Sequence, residues 1–429
     1  MAAYLLFEVM VMLLSRLNDV VWSPWLLGLF LAAGLYYSLR TGFFQIFRIP
    51  LWLRTTFGAM LRRRGRGNGR GISQFQALAT ALASTIGTGS IAGVATAIWF
   101  GGPGAVFWMW VSALLGMMTG CAEKLLSVRY RRAGPAGWLG GPMYYIRDGL
   151  KSPLLAGWFA LACLPATLTG GDMVQSSSIA AALQATFGWD RLAVGAAVAV
   201  LTGLVMVGGI GRIARVSSGL VPAMALLYLG GGAAVLAARA DQIPEAMALI
   251  FCSALRPEAA VGGGMGYTLA AALRYGVARG VFTNEAGLGT SAMAHAAAEV
   301  DCPARQGMWG IVEVCVSTLL VCTATALVIL VSGVYGPADA LVRGALGAVP
   351  PDRLGAPLTA AAFSSVLGPW GGAVVSLSLL LFAFSSILGW SWYGEQSILY
   401  LTGSRRLVPA YRLVFLSCVV LGSVWEGEA

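Results

Sequence analysis

Charge is what this sequence has least of. Asp, Glu, Lys and Arg make up 11% of it, against about 25% in an ordinary soluble domain. At 429 residues a soluble chain would form roughly three domains. Their surfaces would need far more polar area than this composition supplies. With 58% hydrophobic residues and a mean hydropathy of +0.77, a soluble enzyme, a disordered chain and a nucleic-acid binder are excluded. Lysine is nearly absent, at Lys124 and Lys151 only, and His295 is the sole histidine. The seven cysteines contain no Cys-x-x-Cys pair, so a disulfide framework or a zinc site is not expected. Cys121, Cys163, Cys315, Cys322 and Cys418 lie in apolar runs and read as small buried hydrophobes. A single His also leaves no catalytic metal cluster and no Cys–His nucleophile pair.

What is present is a series of long apolar runs. A membrane-crossing helix needs about 20 mostly apolar residues. Spans are expected near 22–39, 73–98, 104–128, 154–184, 191–208, 217–238, 262–298, 306–333, 367–400 and 409–424. The chain thus reads as an all-α polytopic membrane protein. Residues 1–18, with Glu8 and Arg16, read as an interfacial amphipathic helix and not as a signal peptide. The net charge of +10 comes largely from Arg in alternate loops. Threading the spans places the Arg40–Arg70 loop, Arg129–Lys151, Arg212, Arg215, Arg305 and Arg405–Arg412 on one side. The positive-inside rule makes that side cytoplasmic and puts both termini outside. The Gly-rich stretch 64–71 lacks the Lys-Ser/Thr of a phosphate loop. The stretch 243–255 is short and reads as a surface helix, and 335–366 as a long Gly- and Pro-rich loop over the outer face.

Two spans are interrupted alike. One carries Gly87-Thr88-Gly89-Ser90 at its centre, the other Gly287-Leu288-Gly289-Thr290. Each then passes through small residues to a Pro turn, at Pro103 and Pro303, and resumes as a span containing Trp, at Trp108 and Trp309. Glycine inside a helix is less favourable than alanine by about 1 kcal/mol, so paired glycines let the backbone unwind. Unwound backbone at membrane depth is tolerated where it lines a cavity. Freed amides there suit a carboxylate and freed carbonyls a cation. Helix–helix packing through small residues is the alternative use of such glycines. An odd number of spans separates the two breaks, so the units enter the membrane from opposite sides, the signature of an inverted repeat. The boundaries that follow are 1–71 for the leading helices and basic loop, 72–240 for the first repeat and 241–429 for the second.

These residues resemble the alanine/glycine:cation symporter family. The most specific segment is Asn284-Glu285-Ala286-Gly287-Leu288-Gly289, followed by "TSAMAHAAA" and Pro303-Ala304-Arg305-Gln306-Gly307. Supporting stretches are "QALATALASTIGTGSIAGVATAI", Gly141-Pro142-Met143-Tyr144-Tyr145 and "FAFSSILGWSWYGE". The resemblance runs from about residue 20 to 425. It implies the LeuT-type fold of five plus five inverted helices, with 22–39 as one extra N-terminal helix. It also implies sodium-coupled symport of alanine or glycine across a bacterial-type cytoplasmic membrane, with no cofactor beyond the coupling ion. The substrate site it implies draws on Gly87, Thr88, Gly89, Asp172, Gln175, Asn284, Ala286, Gly287, Gly289 and Trp390. The cation site draws on Ala83, Ile86, Ser90, Ser385 and Ser386. No nucleic-acid partner is expected; the lipid bilayer is, and the oligomeric state is not legible.

Ionisable groups inside spans each need a reason, since insertion disfavours them by about 2.5–3.5 kcal/mol. Asp172 shares a helix face with Gln175 and Ser176 and reads as a pathway carboxylate or a residue of the outer mouth. Glu285 reads as an ammonium ligand or a half-helix cap. Glu313 and Glu395 read as paired or end-of-helix groups, Arg274 and Arg279 as partners of a carboxylate, and His295 as a satisfied structural group. Three positions depart from the family's usual Asn: Ser90, Ser177 and Asp172. On that basis Asp172 is expected to alter coupling, with protons as the alternative coupling ion. The resemblance also leaves the second repeat one helix short after Val424-Trp425. The rival readings are an uncoupled facilitator, a non-transporting homologue, and an intramembrane enzyme built on Asp172 and Glu285.

Overall fold

The computed structural model describes residues 22–61, 71–134, 137–255, 269–335 and 354–425. The expected helix at 1–18 lies outside them. Helix α1 (Pro24–Arg40) starts on a proline and is followed by α2 (Phe44–Phe47) and α3 (Ile49–Leu61). The 40–71 stretch is therefore partly helical rather than a plain basic loop. Its apolar face explains this, with Trp52 buried and its indole donating to the Gln45 carbonyl at 3.2 Å.

The first broken helix is α4 (Gln74–Thr85), a π-helical turn at Gly89–Gly93 and α5 (Val94–Gly101), with a bend of 56° between the halves. A capping box fixes its start. Ser73 accepts from the Gln76 amide at 3.1 Å, and the Gln76 side chain accepts from the Ser73 amide at 3.0 Å, satisfying two otherwise orphaned donors. Helix α6 (Gly104–Arg129) follows, then a short hairpin of β1 (Arg132–Gly134) and β2 (Gly137–Leu139), and α7 (Pro142–Asp148). Next come α8 (Pro153–Leu168), a π-helical turn at Thr169–Met173, α9 (Val174–Phe187), α10 (Arg191–Met206), α11 (Gly209–Ala238) and α12 (Ile243–Leu255).

The second broken helix is α13 (Leu269–Asn284), an irregular stretch, and α14 (Ala292–Ala296). It is followed by α15 (Pro303–Val314), a π-helical run at Cys315–Cys322, α16 (Thr323–Val331), α17 (Ala356–Leu367), α18 (Pro369–Thr402) and α19 (Val408–Val424). Helix α17 corrects the reading of 335–366 as loop throughout. Its Leu358, Ala362 and Phe363 are buried, so an apolar face drives helix formation despite the surrounding Gly and Pro. Helix α11 begins eight residues ahead of the expected 217, because the Arg212–Arg215 segment continues the helix instead of forming a loop.

Among the described residues six helical stretches are long and apolar enough to cross a membrane, and the bent α4–α5 pair makes a seventh. The remaining expected spans, α1, α10 and α13, are shorter at 17, 16 and 16 residues. Helix α6 lies at the centre, packed between α13 and α15. Close backbone approach makes this possible: a Cβ on Gly310 would sit 2.6 Å from the Gly120 carbonyl oxygen. Small residues serve helix association in lipid in this way.

The inner ends of the two broken helices are joined. The Ile72 amide donates to the Ala297 carbonyl at 3.0 Å, and the Glu299 amide to the Ile72 carbonyl at 2.8 Å. Arg131 gathers the same strand-like segment, donating to the carbonyls of Ala296, Ala298 and Val300 while its guanidinium lies 4.1 Å from the Trp138 ring.

Candidate functional site between the two broken helices

At the first break the chain leaves helical geometry at Ile86. A Cβ on Gly87 would lie 2.5 Å from the Ser386 hydroxyl and 3.0 Å from Gln175 Oε1. Three elements distant in sequence, α4, α9 and α18, therefore meet at one glycine. The Thr88 amide donates to Gln175 Oε1 at 3.2 Å, and Gln175 Nε2 donates to the Gly170 carbonyl at 3.2 Å. The amide expected to face a substrate carboxylate is thus held by a side-chain carbonyl oxygen that a carboxylate oxygen could replace. Gly89 faces Phe282 and Thr283 of α13, which brings the first half of the second broken helix against the first break.

The hydroxyls of Ser385 and Ser386 both donate to the Ala83 carbonyl at 3.1 Å, and Ser386 also reaches the Ser84 carbonyl at 3.1 Å. All four residues are buried. These are neutral oxygens of hydroxyl and carbonyl type, the donor set a hard monovalent cation takes. Ile86 caps the same turn. Ser90 is set apart from the cluster: its carbonyl accepts from Thr325 at 2.9 Å, and its buried hydroxyl makes no hydrogen bond among the described residues. Trp390 packs on Gly171, where a Cβ would lie 2.5 Å from the indole.

Asp172 is fully buried, and neither carboxyl oxygen is hydrogen-bonded among the described residues. The wide turn at Thr169–Met173 separates it from the face of Gln175. It lies instead within electrostatic reach of Tyr411 and Cys418 on α19, while Ser176 bonds the Val419 carbonyl at 2.6 Å. Gln175 enters the first break; Asp172 faces the last helix.

The second break has other surroundings. Asn284 Oδ1 accepts from the Ala286 amide at 2.9 Å, and Glu285, in the left-handed region at φ 53°, accepts from the Thr290 hydroxyl. The Gly287 amide donates to Glu123 Oε1 at 2.9 Å. Gly287 (φ 99°) lies against Phe30 of α1, and Gly289 (φ 75°) against Pro142 and Tyr145 of α7. Lys124 Nζ stands 3.6 Å from Glu123 and 3.4 Å from Glu313, and Glu313 is 3.0 Å from His295 Nε2. Sequence reasoning passed over Glu123 and gave Lys124 no role. An adjacent acid and base inside an otherwise apolar span was the signal, because a membrane helix retains such a pair only with partners.

Two further ionisable groups, Glu395 and Arg279, have identified surroundings. Glu395 is bound by Arg412 at 2.7 and 3.0 Å, beside a cavity of about 390 Å³ also lined by Trp392 and Arg405. Arg279 has no carboxylate partner among the described residues, contrary to expectation. Its guanidinium lies against Gly93 and 5.4 Å from the Phe282 ring, so a π face and backbone replace the expected anion.

A bundle of apolar helices, interrupted where buried polar groups from distant segments converge, has the make-up of a multi-pass membrane protein. Comparison with known proteins gives the family. The sequence model of the sodium:alanine symporter family matches residues 7–429. The chain is 41% identical over 426 residues to the sodium/alanine symporter AgcS of Methanococcus maripaludis, covering 98% of this chain and 88% of that one. It is 35% identical to the probable sodium/glutamine symporter GlnT of Bacillus subtilis, covering 95% and 81%. A solved Na+-coupled sialic acid symporter, in a substrate-bound outward-open state, has a similar fold, with a TM-score of 0.54 at 12% identity over 93% of this chain and 80% of that one. The chain belongs to the sodium:alanine symporter family.

Proposed function

We propose that this chain is a sodium-coupled symporter of alanine or glycine, working by alternating access about the two broken helices. The observation that carries the reading is the junction at Gly87, where Gln175 and Ser386 close on the first break. In this reading the substrate carboxylate displaces Gln175 Oε1 from the Thr88 amide and is held by the Gly87–Gly89 turn. The substrate ammonium is held by carbonyls of the second break, with Asn284, Ala286, Gly287 and Gly289 as its wall. Sodium is held by the carbonyls of Ala83 and Ile86 and the hydroxyls of Ser385 and Ser386. Trp390 closes one side, and the tight contacts at Gly87 and Gly171 favour a small side chain. Asp172, turned toward α19, is not a ligand in this reading.

The two units 72–240 and 241–429 act as inverted repeats in this reading, after a leading segment at 1–71, and the cytoplasmic membrane is the site of action. The joined inner ends of the broken helices, through Ile72 and Ala297, let the two breaks move as one body. The test is uptake of labelled alanine and glycine into proteoliposomes with and without an imposed sodium gradient. Concentrative uptake of either, only with the gradient, is expected. Equal uptake in both conditions would overturn the coupling, and no uptake of either would overturn the substrate.

A further inference from the structure

The ionic cluster beside the second break plays no part in the substrate and cation sites above, and it is fully enclosed. Glu123, Lys124, Glu285, His295, Gln306 and Glu313 are all buried. Its imidazole is caged on both sides. His295 Nε2 lies 3.0 Å from Glu313 Oε2, and Nδ1 lies 2.6 Å from the Gln306 amide nitrogen.

We propose that His295, held between Glu313 and Gln306, is a proton-binding site, and that its occupancy is linked to the setting of the second broken helix. The linkage rests on the transporter reading; the site itself does not.

The cage accepts both protonation states. With the Gln306 amide nitrogen donating to Nδ1, the ring is neutral and carries its proton on Nε2, toward Glu313. Gln306 Oε1 is buried and makes no hydrogen bond among the described residues. A half-turn of the amide exchanges its two ends, which are alike in size. An acceptor then faces Nδ1, and the ring becomes an imidazolium donating to Gln306 Oε1 and to Glu313. The proton comes from water, and no other bond changes.

Three buried carboxyl groups, Glu123, Glu285 and Glu313, stand around Lys124, and the cage of Glu313 and Gln306 already provides the bonds that an imidazolium needs. Glu313 Oε1, Glu123 Oε2 and Lys124 Nζ make no hydrogen bonds among the described residues, so the cluster has bonding capacity in reserve. The groups facing the ring are Glu313 and Gln306 from α15 and Lys124 from α6, and Glu123 and Glu285 lie around Lys124. Arg131 reaches the carbonyl of Ala296 one residue on, Tyr145 stands near Glu123, and Tyr393 near Glu285.

The path to the broken helix is short. Glu313 Oε2 is shared by His295 and Lys124. An imidazolium draws that oxygen to itself and frees Lys124 toward Glu123, whose other oxygen holds the Gly287 amide. The proton is thereby read at the second break.

Because the chain has one histidine, labelling with 15N-histidine and purifying through a tag free of histidine gives a single imidazole to observe. The nitrogen shifts are expected to titrate between about pH 5 and pH 8. Saturating sodium and alanine should move the midpoint by about half a pH unit, a change of about threefold in proton affinity. A ring that stays neutral throughout that range overturns the proton site, and a midpoint that sodium and alanine leave unmoved overturns the linkage. In proteoliposomes, His295→Gln should flatten the pH profile of uptake while keeping its sodium dependence; a profile identical to wild type overturns the linkage. Should His295→Gln fail to fold, the titration of the wild-type ring still decides. Absence of sodium-driven uptake would overturn the transport reading and leave the titration standing, so the two failures are separable.

Discussion

Around the first break, from Thr85 to Ser90, the contacting polar groups are neutral: Gln175, Ser385, Ser386, the Ser84–Tyr393 pair and Thr325. The Arg279 guanidinium lies one turn further on, against Gly93. Around the second break the contacts are ionic: Glu285 within it, Glu123 on its Gly287 amide, and Lys124, Glu313 and His295 behind. The difference separates two tasks. Neutral hydrogen bonds contribute only about 0.5–1.5 kcal/mol net, so a ligand can displace them and be released again. Removing one member of a buried ion pair leaves the other uncompensated, at about 3–5 kcal/mol. The first break is built for exchange of ligands; the second is built to be held in place.

The largest effect that could break this comparison comes from Lys124→Met. It strands Glu123 and Glu313 and should lower unfolding stability in detergent by about 3–5 kcal/mol. Ser386→Ala, with two hydrogen bonds to carbonyls at the first break, should lower it by about 1–2 kcal/mol. Thermal unfolding of the two variants side by side decides. Equal losses would mean that the ionic cluster does not hold the fold.

A second pair of variants sharpens the contrast at the glycines. Gly287→Ala must hold a φ of 99° and place its methyl 2.5 Å from the Phe30 ring. Strain of this kind stores about 1–3 kcal/mol, so the loss should appear in stability. Gly87→Ala has no such φ, and its methyl points at Ser386 and Gln175. Its loss should appear in uptake, more than about tenfold, with a smaller fall in melting temperature than Gly287→Ala. Ser385→Ala comes next. Removing one oxygen of the proposed cation site should raise the sodium concentration for half-maximal uptake by about tenfold, equivalent to about 1.4 kcal/mol of ligand binding. An unchanged sodium dependence would take Ser385 out of the cation site.

Much of this arrangement is legible in the residues. Paired glycines, a Pro turn and a Trp-bearing span locate both breaks, because helix propensity and proline geometry act locally. Ser385 and Ser386 meet the Ala83 carbonyl, and Gln175 reaches the Thr88 amide. The ionic cluster was not legible as a cluster. Glu123, His295 and Glu313 are far apart in sequence and each has a bland local explanation; only the packing of α6 against α15 and the second break brings them together. Helix α17 was missed for a related reason. Its short apolar face acquires meaning only from the helices it packs on, α18 and α16. Asp172 and Ser176 face α19 together, whereas Gln175 enters the first break.

Asp172 carries the smallest expected effect and bears most directly on the division between the breaks. It is a buried carboxyl without a hydrogen bond among the described residues, on the side of α19 away from Gln175. If the first break works through neutral groups alone, a carboxyl three residues from Gln175 is dispensable. Asp172→Asn keeps the size and shape and removes the ability to ionise. It should leave sodium-driven uptake within about threefold of wild type and shift unfolding stability by no more than about 1 kcal/mol. Initial uptake rates at several sodium concentrations and pH values, measured on the same preparations as Ser385→Ala, make the test. A loss greater than about tenfold, or a changed pH profile with sodium dependence altered alongside, would return a charge to the first break. The neutral and ionic breaks would then no longer be opposites, and Asp172 would join the coupling machinery.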